Sequence, residues 1–364
     1  MKKKIYNFSA GPAMLPDEVL KEIKKNFLNW NNIGASIIEI SHRSKEFYNI
    51  IVNSKKYLNE LLNISDKYTI LFCQGGARAQ FSAIPMNLLD QFHCADYIDS
   101  GYWSYNAMIE AKKYCVPNHI NIKKNTDGQI TLLKMEDWPI NINSDYIHYC
   151  PNETIEGIAI HEEPNFKNKI VVGDFSSTLL SRKINIEKYD LIYASAQKNL
   201  GPSGITIVII KKKLLKNSYP FVPSILDYKK IFDSDSMFNT PVTFSWYVVS
   251  LVLKWAKNQG GIDFFEKNNY RKSHLLYQTI DNSTIYMNTV HPNNRSHMNI
   301  TFHLRNPNLN DIFLQKSHEA GLKFLKGHKV VGGLRASIYN SMTMTGVKKL
   351  IQFMKNFEFK FKRI

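Results

Sequence analysis

No two of the four cysteines, Cys73, Cys94, Cys115 and Cys150, stand close together in the chain. Neither a metal knuckle nor a redox pair is therefore indicated, no metal site is expected, and a reducing compartment suits the thiols best. Long apolar runs are missing too. The run over 205–210 is closed by lysines and that over 247–253 is broken by Ser250, well short of the roughly 20 residues that a spanning helix needs. The basic start Met1-Lys2-Lys3-Lys4 lacks the apolar core of a secretory signal, because Tyr6-Asn7-Phe8-Ser9 and then Pro12 and Pro16 interrupt it. A cytoplasmic protein without membrane contact is expected. Acidic residues are scarce beside basic ones, 31 against 47, which leaves a net charge of +16. Such a surplus suits nucleic acid, an acidic membrane or small anions. The lysines are scattered, however, and neither zinc-finger spacing nor an aromatic-interleaved ribonucleoprotein motif accompanies them. A solvated surface is the simpler reading, and no nucleic-acid partner is expected.

What is present is a chain able to bury a core. With 364 residues, 44% of them hydrophobic, it has room for about two domains. Pro16-Asp17-Glu18 opens a helix on which Val19, Leu20, Ile23 and Phe27 recur at helical spacing. A second helix is predicted over 45–62. Strand-length apolar runs follow at 68–73, 95–99, 146–149, 170–174, 191–195 and 205–210, several separated by helical patterns. Buried, β-branched strands between helices predict an α/β fold, a mostly parallel sheet covered on both faces. Beyond Gly260-Gly261 the texture becomes α+β: a helix through Leu276, a strand over 298–304, a helix from Asn310 to Gly321 and a strand over 336–339. The expected division is an N-terminal segment, 1–15, packing with the small domain, a large domain, 16–260, and a small C-terminal domain, 261–364. The stretch from Pro220 to Pro241, rich in Pro, Asp and Ser, reads as an exposed excursion.

Polar residues gather at the carboxyl ends of the predicted strands. Gln74-Gly75-Gly76-Ala77-Arg78, Gly101-Tyr102-Trp103-Ser104, Asn152-Glu153-Thr154, Asp174 and Gln197-Lys198 each follow or close one. In an open α/β sheet ligands bind outside those ends, so these loops converge on one crevice. A lysine amine forms a Schiff base with an aldehyde, and a carboxylate that keeps a ring nitrogen protonated makes that ring an electron sink. Lys198 and Asp174 are therefore the candidates for pyridoxal phosphate (PLP) chemistry. Gly75-Gly76 allows close backbone approach, and the helix that follows offers N–H groups to a phosphate. Trp103 is placed either to stack on a flat ring or to pack in the core, and Thr154 either to bond a polar ring edge or to cap a turn.

Segments along nearly the whole chain carry a resemblance: Asn7-Phe8-Ser9-Ala10-Gly11-Pro12-Ala13, Ser41-His42-Arg43, Gly101-Tyr102-Trp103, Tyr149-Cys150-Pro151-Asn152-Glu153-Thr154, Asp174-Phe175-Ser176-Ser177, Ala196-Gln197-Lys198-Asn199, Met237-Phe238-Asn239-Thr240-Pro241 and Gly332-Gly333-Leu334-Arg335-Ala336-Ser337. The chain resembles the phosphoserine aminotransferase family, PLP enzymes of aminotransferase fold type I, class V. The resemblance implies that Lys198 holds pyridoxal 5'-phosphate, Asp174 its ring nitrogen, Trp103 its ring face and Thr154 its polar edge. It implies that Ala77, Arg78 and Gln197 hold the phosphate together with Asn239 and Thr240 of a partner subunit. The excursion then becomes an arm across a two-fold homodimer interface. It further implies Arg335 for the substrate α-carboxylate, with Ser9, His42, Arg43 and His328 as further substrate contacts. Lys329 departs from the arginine expected beside His328, which keeps the charge but loses the planar fork. The implied reaction transfers an amino group between glutamate and a phosphorylated 2-oxoacid, giving phosphoserine and, in pyridoxine synthesis, 4-phosphohydroxythreonine. A cysteine desulfurase would need a nucleophilic cysteine beyond Lys198, and none of the four lies there. A non-catalytic basic binding protein would not need every one of these positions filled.

Overall fold

The beginning of the chain folds onto its end. The structure, a computed structural model, describes residues 4–90, 93–216, 219 and 221–361; Met1 to Lys3 of the basic start and Pro220 at the head of the expected excursion lie outside them. Strand β1 (Tyr6–Asn7) is followed by helix α1 (Asp17–Asn26), which has Pro16 at its N-cap and Asp17 and Glu18 in the first turn, where a helix favours negative charge. Of the expected apolar face Val19 is buried, but Leu20 and Phe27 remain 47% and 37% exposed, because that side of the helix turns to solvent. Helix α2 (Lys45–Leu62) has the predicted limits: Ser44 Oγ accepts the Phe47 N–H at 3.1 Å, and Asn63 ends it in the left-handed conformation at φ 50°.

The central sheet comes next, built as strands alternate with helices: β2 (Tyr68–Gln74), α3 (Ala77–Leu88), β3 (Ala95–Asp99), α4 (Tyr102–Ala111) and β4 (Asn118–Asn121). The hairpin of β5 (Lys123–Thr126) and β6 (Gln129–Leu132) precedes β7 (Tyr146–Tyr149), the short pair β8 (Asn152–Glu153) and β9 (Ile158–Ala159), β10 (Ile170–Asp174), β11 (Leu191–Ser195) and β12 (Ile205–Lys211). Seven of these form one sheet in the order β2-β12-β11-β10-β7-β3-β4. Strands β4, β3, β7, β10 and β11 pair in parallel, and β12 runs antiparallel to both β11 and β2. The mostly parallel sheet is thus present, with β12 reversed. Strands β4 to β6 escaped prediction because sequences such as Lys123-Lys124-Asn125-Thr126 carry no apolar signal.

The 221–241 stretch is not a free arm. Its middle forms α5 (Tyr228–Asp233), with Tyr228 and Ile231 buried against β2. The Tyr228 hydroxyl donates to Gln80 Oε1 at 2.7 Å, and Ser236 Oγ accepts the Phe72 N–H at 3.1 Å. Tyr228, Ile231 and the bond to Ser236 hold the middle of the stretch against the sheet, while Phe221, Pro223, Ile225 and Phe232 and the tip from Phe238 to Thr240 stay exposed.

Helix α6 (Thr243–Asn258) leads to α7 (Gly261–Asp281), which runs past the predicted end at Leu276. Then come β13 (Tyr286–Met287), β14 (Asn299–Leu304), α8 (Asn310–Glu319), β15 (Leu322–Lys323), β16 (Leu334–Ser337) and α9 (Met344–Phe361). The last predicted strand lies two residues earlier than expected, since 338–340 already belongs to a turn. Helix α9 was not foreseen. Strand β1 pairs in parallel with β15, so Tyr6 and Phe8 join the core formed by α7, α9 and the β13-β14-β16 sheet. None of the helices among the described residues is long and apolar enough to cross a membrane.

One buried charge ties α7 to the chain just after β16. Lys272 is wholly buried, and its ammonium donates to the carbonyls of Ile338, Tyr339 and Met342 at 2.9–3.0 Å. All three donors of the ammonium are used. Lys272→Met removes the donor from the Ile338 and Met342 carbonyls, while that of Tyr339 keeps the Met342 N–H at 2.9 Å, and is expected to lower the unfolding free energy by about 3 kcal/mol in a urea titration.

Candidate active site

A cavity of about 340 Å³ opens at the carboxyl ends of the parallel strands. All five predicted loops reach it: Gly76, Ala77 and Arg78 after β2, Trp103 after β3, Asn152 and Thr154 after β7, Asp174 closing β10, and Gln197 and Lys198 after β11. The geometry follows from parallel strands, which all deliver their loops to the same edge.

Lys198 is buried and its Nζ donates to Thr154 Oγ1 at 2.6 Å. Burial penalises the ammonium and pulls its pKa down to about 8, partly offset by the carboxylates of Asp174 and Glu153. An amine so shifted is free to act as a nucleophile near neutral pH. Asp174 is equally buried, and its Oδ1 accepts the Ser176 N–H at 2.9 Å. Burial raises its carboxyl pKa, and Ser176 and the nearby Lys198 draw it back. Beneath it, Tyr193 is paired with His148 Nε2 at 2.9 Å, in a layer where burial holds the histidine neutral with a pKa of about 3.

Trp103 forms the facing wall. Its ring centroid lies 5.9 Å from Lys198 Nζ and 5.4 Å from Arg78 Cζ. Helix α3 starts at the crevice with Gly76 as N-cap and no side chain closing it. Gly75 stands at φ +91°, a conformation that favours glycine, and lets the loop turn into that helix. Three buried polar atoms around the cavity have no hydrogen-bond partner among the described residues: Trp103 Nε1, Asn152 Oδ1 and Ser195 Oγ. Unpaired buried groups are costly, and a polar ligand relieves them.

An amine, a buried carboxylate, an aromatic wall and an uncapped helix start are the groups that PLP calls for at its aldehyde, ring nitrogen, ring face and phosphate. The residues present fit that cofactor. Among the described residues no group of three or more His, Cys, Asp or Glu is placed to hold a metal ion.

Arg335 enters from β16, and its Nη1 donates to the Thr154 carbonyl at 3.3 Å. His328 comes from the same lobe, its ring 5.3 Å from that of Tyr102. Burial and the nearby Arg335 and Lys329 lower its pKa. Ser9 does not line the cavity; its Oγ accepts the Gly11 N–H at 3.4 Å, in the segment that packs along Gln197 and Lys198. His42 and Arg43 sit before α2, and neither lines the cavity. Asn239 and Thr240 are exposed beside the β2 loop, where the Thr240 carbonyl accepts from Gln74 Nε2 at 2.8 Å. Ser9, His42, Arg43, Asn239 and Thr240, and also Arg335 and His328, are thus not among the residues that line the cavity.

Two residues of the site had no role in the sequence analysis: Glu153 was quoted within a segment and Glu156 not at all. Glu153 accepts the N–H groups of Trp103 and Ser104 at 2.9 and 2.8 Å, and Glu156 accepts that of Tyr102 at 2.9 Å. The two carboxyls close the start of α4. No local pattern connects residue 153 with residue 103, so only the fold reveals the contact.

Comparison with known proteins agrees with this geometry. The profile of the family Aminotransferase class-V matches residues 5–350. A phosphoserine aminotransferase of Buchnera aphidicola subsp. Acyrthosiphon pisum is 59% identical over 354 residues, covering 97% of this chain and 98% of that protein. One from Blochmanniella floridana is 54% identical over 363 residues, covering 99% of this chain and 100% of that one. Among solved structures, the phosphoserine aminotransferase of Bacillus circulans subsp. alkalophilus superposes with a TM-score of 0.94 at 38% identity, covering 98% of this chain and 99% of the other. The PLP-bound phosphoserine aminotransferase of Trichomonas vaginalis gives 0.91 at 35% identity, with 97% and 100% covered.

Proposed function

The chain belongs to the aminotransferase class-V family and is a PLP-dependent transaminase, and on that footing we propose how its own residues carry the reaction. The reaction moves an amino group reversibly from glutamate to 3-phosphohydroxypyruvate, giving 2-oxoglutarate and O-phosphoserine. The observation that carries this reading is the buried Lys198, bonded to Thr154 and sharing a cavity with Asp174, Trp103 and Arg78.

When bound, PLP supplies an aldehyde for the amine and a ring that withdraws electrons from the neighbouring carbon. With the cofactor bound, Lys198 Nζ would be the group that takes the proton from the substrate Cα and gives it back beyond the substrate nitrogen, as base and then acid. Its lowered pKa suits both duties near neutral pH. Thr154 Oγ1 orients Nζ. The Asp174 carboxylate holds a proton on the ring nitrogen, and a cationic partner there favours its ionised form against the cost of burial. Trp103 covers the ring face. The first turn of α3, Arg78 and Gln197 take the phosphate.

Arg335 holds the α-carboxylate through its planar fork, and His328 meets the substrate's distal anion. A second copy of the chain completes the site with Asn239 and Thr240 on the cofactor phosphate and with His42 and Arg43 near the substrate. What supports the homodimer is an exposed apolar belt: Tyr48 and Val52 on α2, and Phe221 and Phe238, 72% and 49% exposed, on the stretch tied to α2 by the Lys55–Asp235 ion pair. The same anionic contacts suit 4-phosphohydroxythreonine as a second product. Four free thiols fit the cytoplasm.

Purified protein with cofactor is expected to be yellow, and Lys198→Ala to lose the visible absorbance band. A colourless wild type saturated with PLP overturns the cofactor assignment. Arg335→Ala is expected to raise KM about 30-fold for glutamate and for the phosphorylated 2-oxoacid alike, a loss of about 2 kcal/mol; unchanged constants remove Arg335 from carboxylate binding. Sedimentation should find the active species dimeric, and an active monomer rules out the roles of Asn239 and Thr240.

A further inference from the structure

We propose that Glu153 and Glu156 work as one unit that shares a single proton, fixes the start of α4 with Trp103 on it, and by carrying only one negative charge leaves Arg335 free for the substrate carboxylate. The last part rests on the role given to Arg335 above.

The contacts come first. Three successive N–H groups in the first turn of α4, those of Tyr102, Trp103 and Ser104, donate to these two side chains at 2.8–2.9 Å. A helix start favours negative charge, but here the charge comes from another part of the chain. Glu153 and Glu156 flank Thr154, which accepts from Lys198. The pair thereby couples the wall that carries Trp103 to the loop that orients the reactive amine. The Glu156 carbonyl also accepts from Thr301 Oγ1 at 3.0 Å, which anchors the loop on β14.

The two carboxyls meet over Gly101. A Cβ there would lie 2.8 Å from both Glu153 Cδ and Glu156 Oε2, so only the bare glycine leaves room for both. Two carboxylates this close in a buried place cannot both ionise. Glu153 has both oxygens bonded to N–H groups and keeps the charge. Glu156 has one oxygen bonded, while its Oε2 is buried without a partner and takes the proton. Burial first, and the charge of Glu153 second, raise the Glu156 pKa to about 8; that of Glu153 is raised by burial against its N–H bonds. The other charges facing Glu156 are Lys123 on β5, itself bonded to Asp99 at 2.8 Å, and Arg335 on β16.

Two consequences follow for ligand placement. Helices α3 and α4 both begin at the crevice, but the first turn of α4 is filled by carboxyls and that of α3 has no side-chain cap. An anionic group is thereby directed to α3. Ionisation of Glu156 places a second carboxylate beside Arg335, in competition with the substrate's own.

The test is the pH dependence of KM for 2-oxoglutarate, which does not titrate between pH 7 and 9, in the holoenzyme. The wild-type KM is expected to rise about tenfold across that range as the second carboxyl ionises. Glu156→Gln keeps an acceptor for the Tyr102 N–H but cannot ionise, so its KM should lack the rise. Glu153→Gln removes the charge that opposes ionisation of Glu156 but not its burial, so the rise should move to lower pH, and this variant serves if the first does not fold. Glu156→Gln leaves in place the Glu153 charge that acts on Lys198, so the difference between its profile and the wild type's reads the pair. Superimposable KM profiles, or a variant that merely loses the same fraction of kcat at every pH, overturn the proposal. If Arg335→Ala raises KM at pH 7 while the profiles superimpose, the pair alone is wrong. If Arg335→Ala leaves KM unchanged, the carboxylate assignment fails and the coupling with it.

Discussion

A lysine ammonium is expensive to remove from water, and Lys198 is held where only 8% of it meets solvent. Much of the site can be understood as the surroundings that make this burial tolerable and useful. The Thr154 hydroxyl accepts from Nζ, and Asp174 and Glu153 supply negative charge that offsets part of the desolvation. The same desolvation raises the Asp174 carboxyl, so amine and acid are both moved toward neutrality. A cofactor that bonds the amine and presents a protonated ring nitrogen to the acid satisfies both at once.

The fold's task is to bring distant pieces to that amine. Parallel strands deliver their loops to one edge, and the reversed β12 pairs with both β11 and β2, so the Lys198 loop lies close to the glycine loop. A chain of buried amides and hydroxyls then links the lobes. Asn152 donates to Ser177 Oγ and Asn299 Oδ1, Asn299 donates to Ser337 Oγ and the Tyr339 hydroxyl, and that hydroxyl donates to the Ala10 carbonyl at 2.7 Å. Apart from Asn152 Oδ1, which faces the cavity without a partner among the described residues, these groups are paired in a low-dielectric interior, where hydrogen bonds are strong and orphaned groups costly. Ser337, two residues from Arg335 on β16, is a member of this chain.

Much of the architecture was legible before the structure. Strands at 95–99, 146–149, 170–174 and 191–195 and the helix at 45–62 have their predicted limits, because fully buried β-branched runs and a Ser44 cap are local signals. Leu20 and Phe27 were read as part of one apolar helix face and are exposed, since periodicity shows that a face is apolar and not what lies against it. The stretch to Pro241 was read from its composition as an exposed excursion, while the burial of its middle depends on Gln80 and Phe72, far away in the chain. Glu153 and Glu156 passed without a role for the same reason: their partners are the backbone N–H groups of another helix, which carry no sequence signature.

The sequence by itself determined the alternation of strands and helices, the gathering of Gly75-Gly76, Trp103, Thr154, Asp174 and Lys198 at strand ends, and through them the chemistry, because residue type and strand-end position are local properties. Only the tertiary structure decided that Lys198 is desolvated, that Thr154 is its acceptor, that Arg335 crosses from the other lobe and that two glutamates close α4. Those depend on which loops lie across the crevice from one another, and burial and Coulomb energy are set by distances in space, not by spacing along the chain.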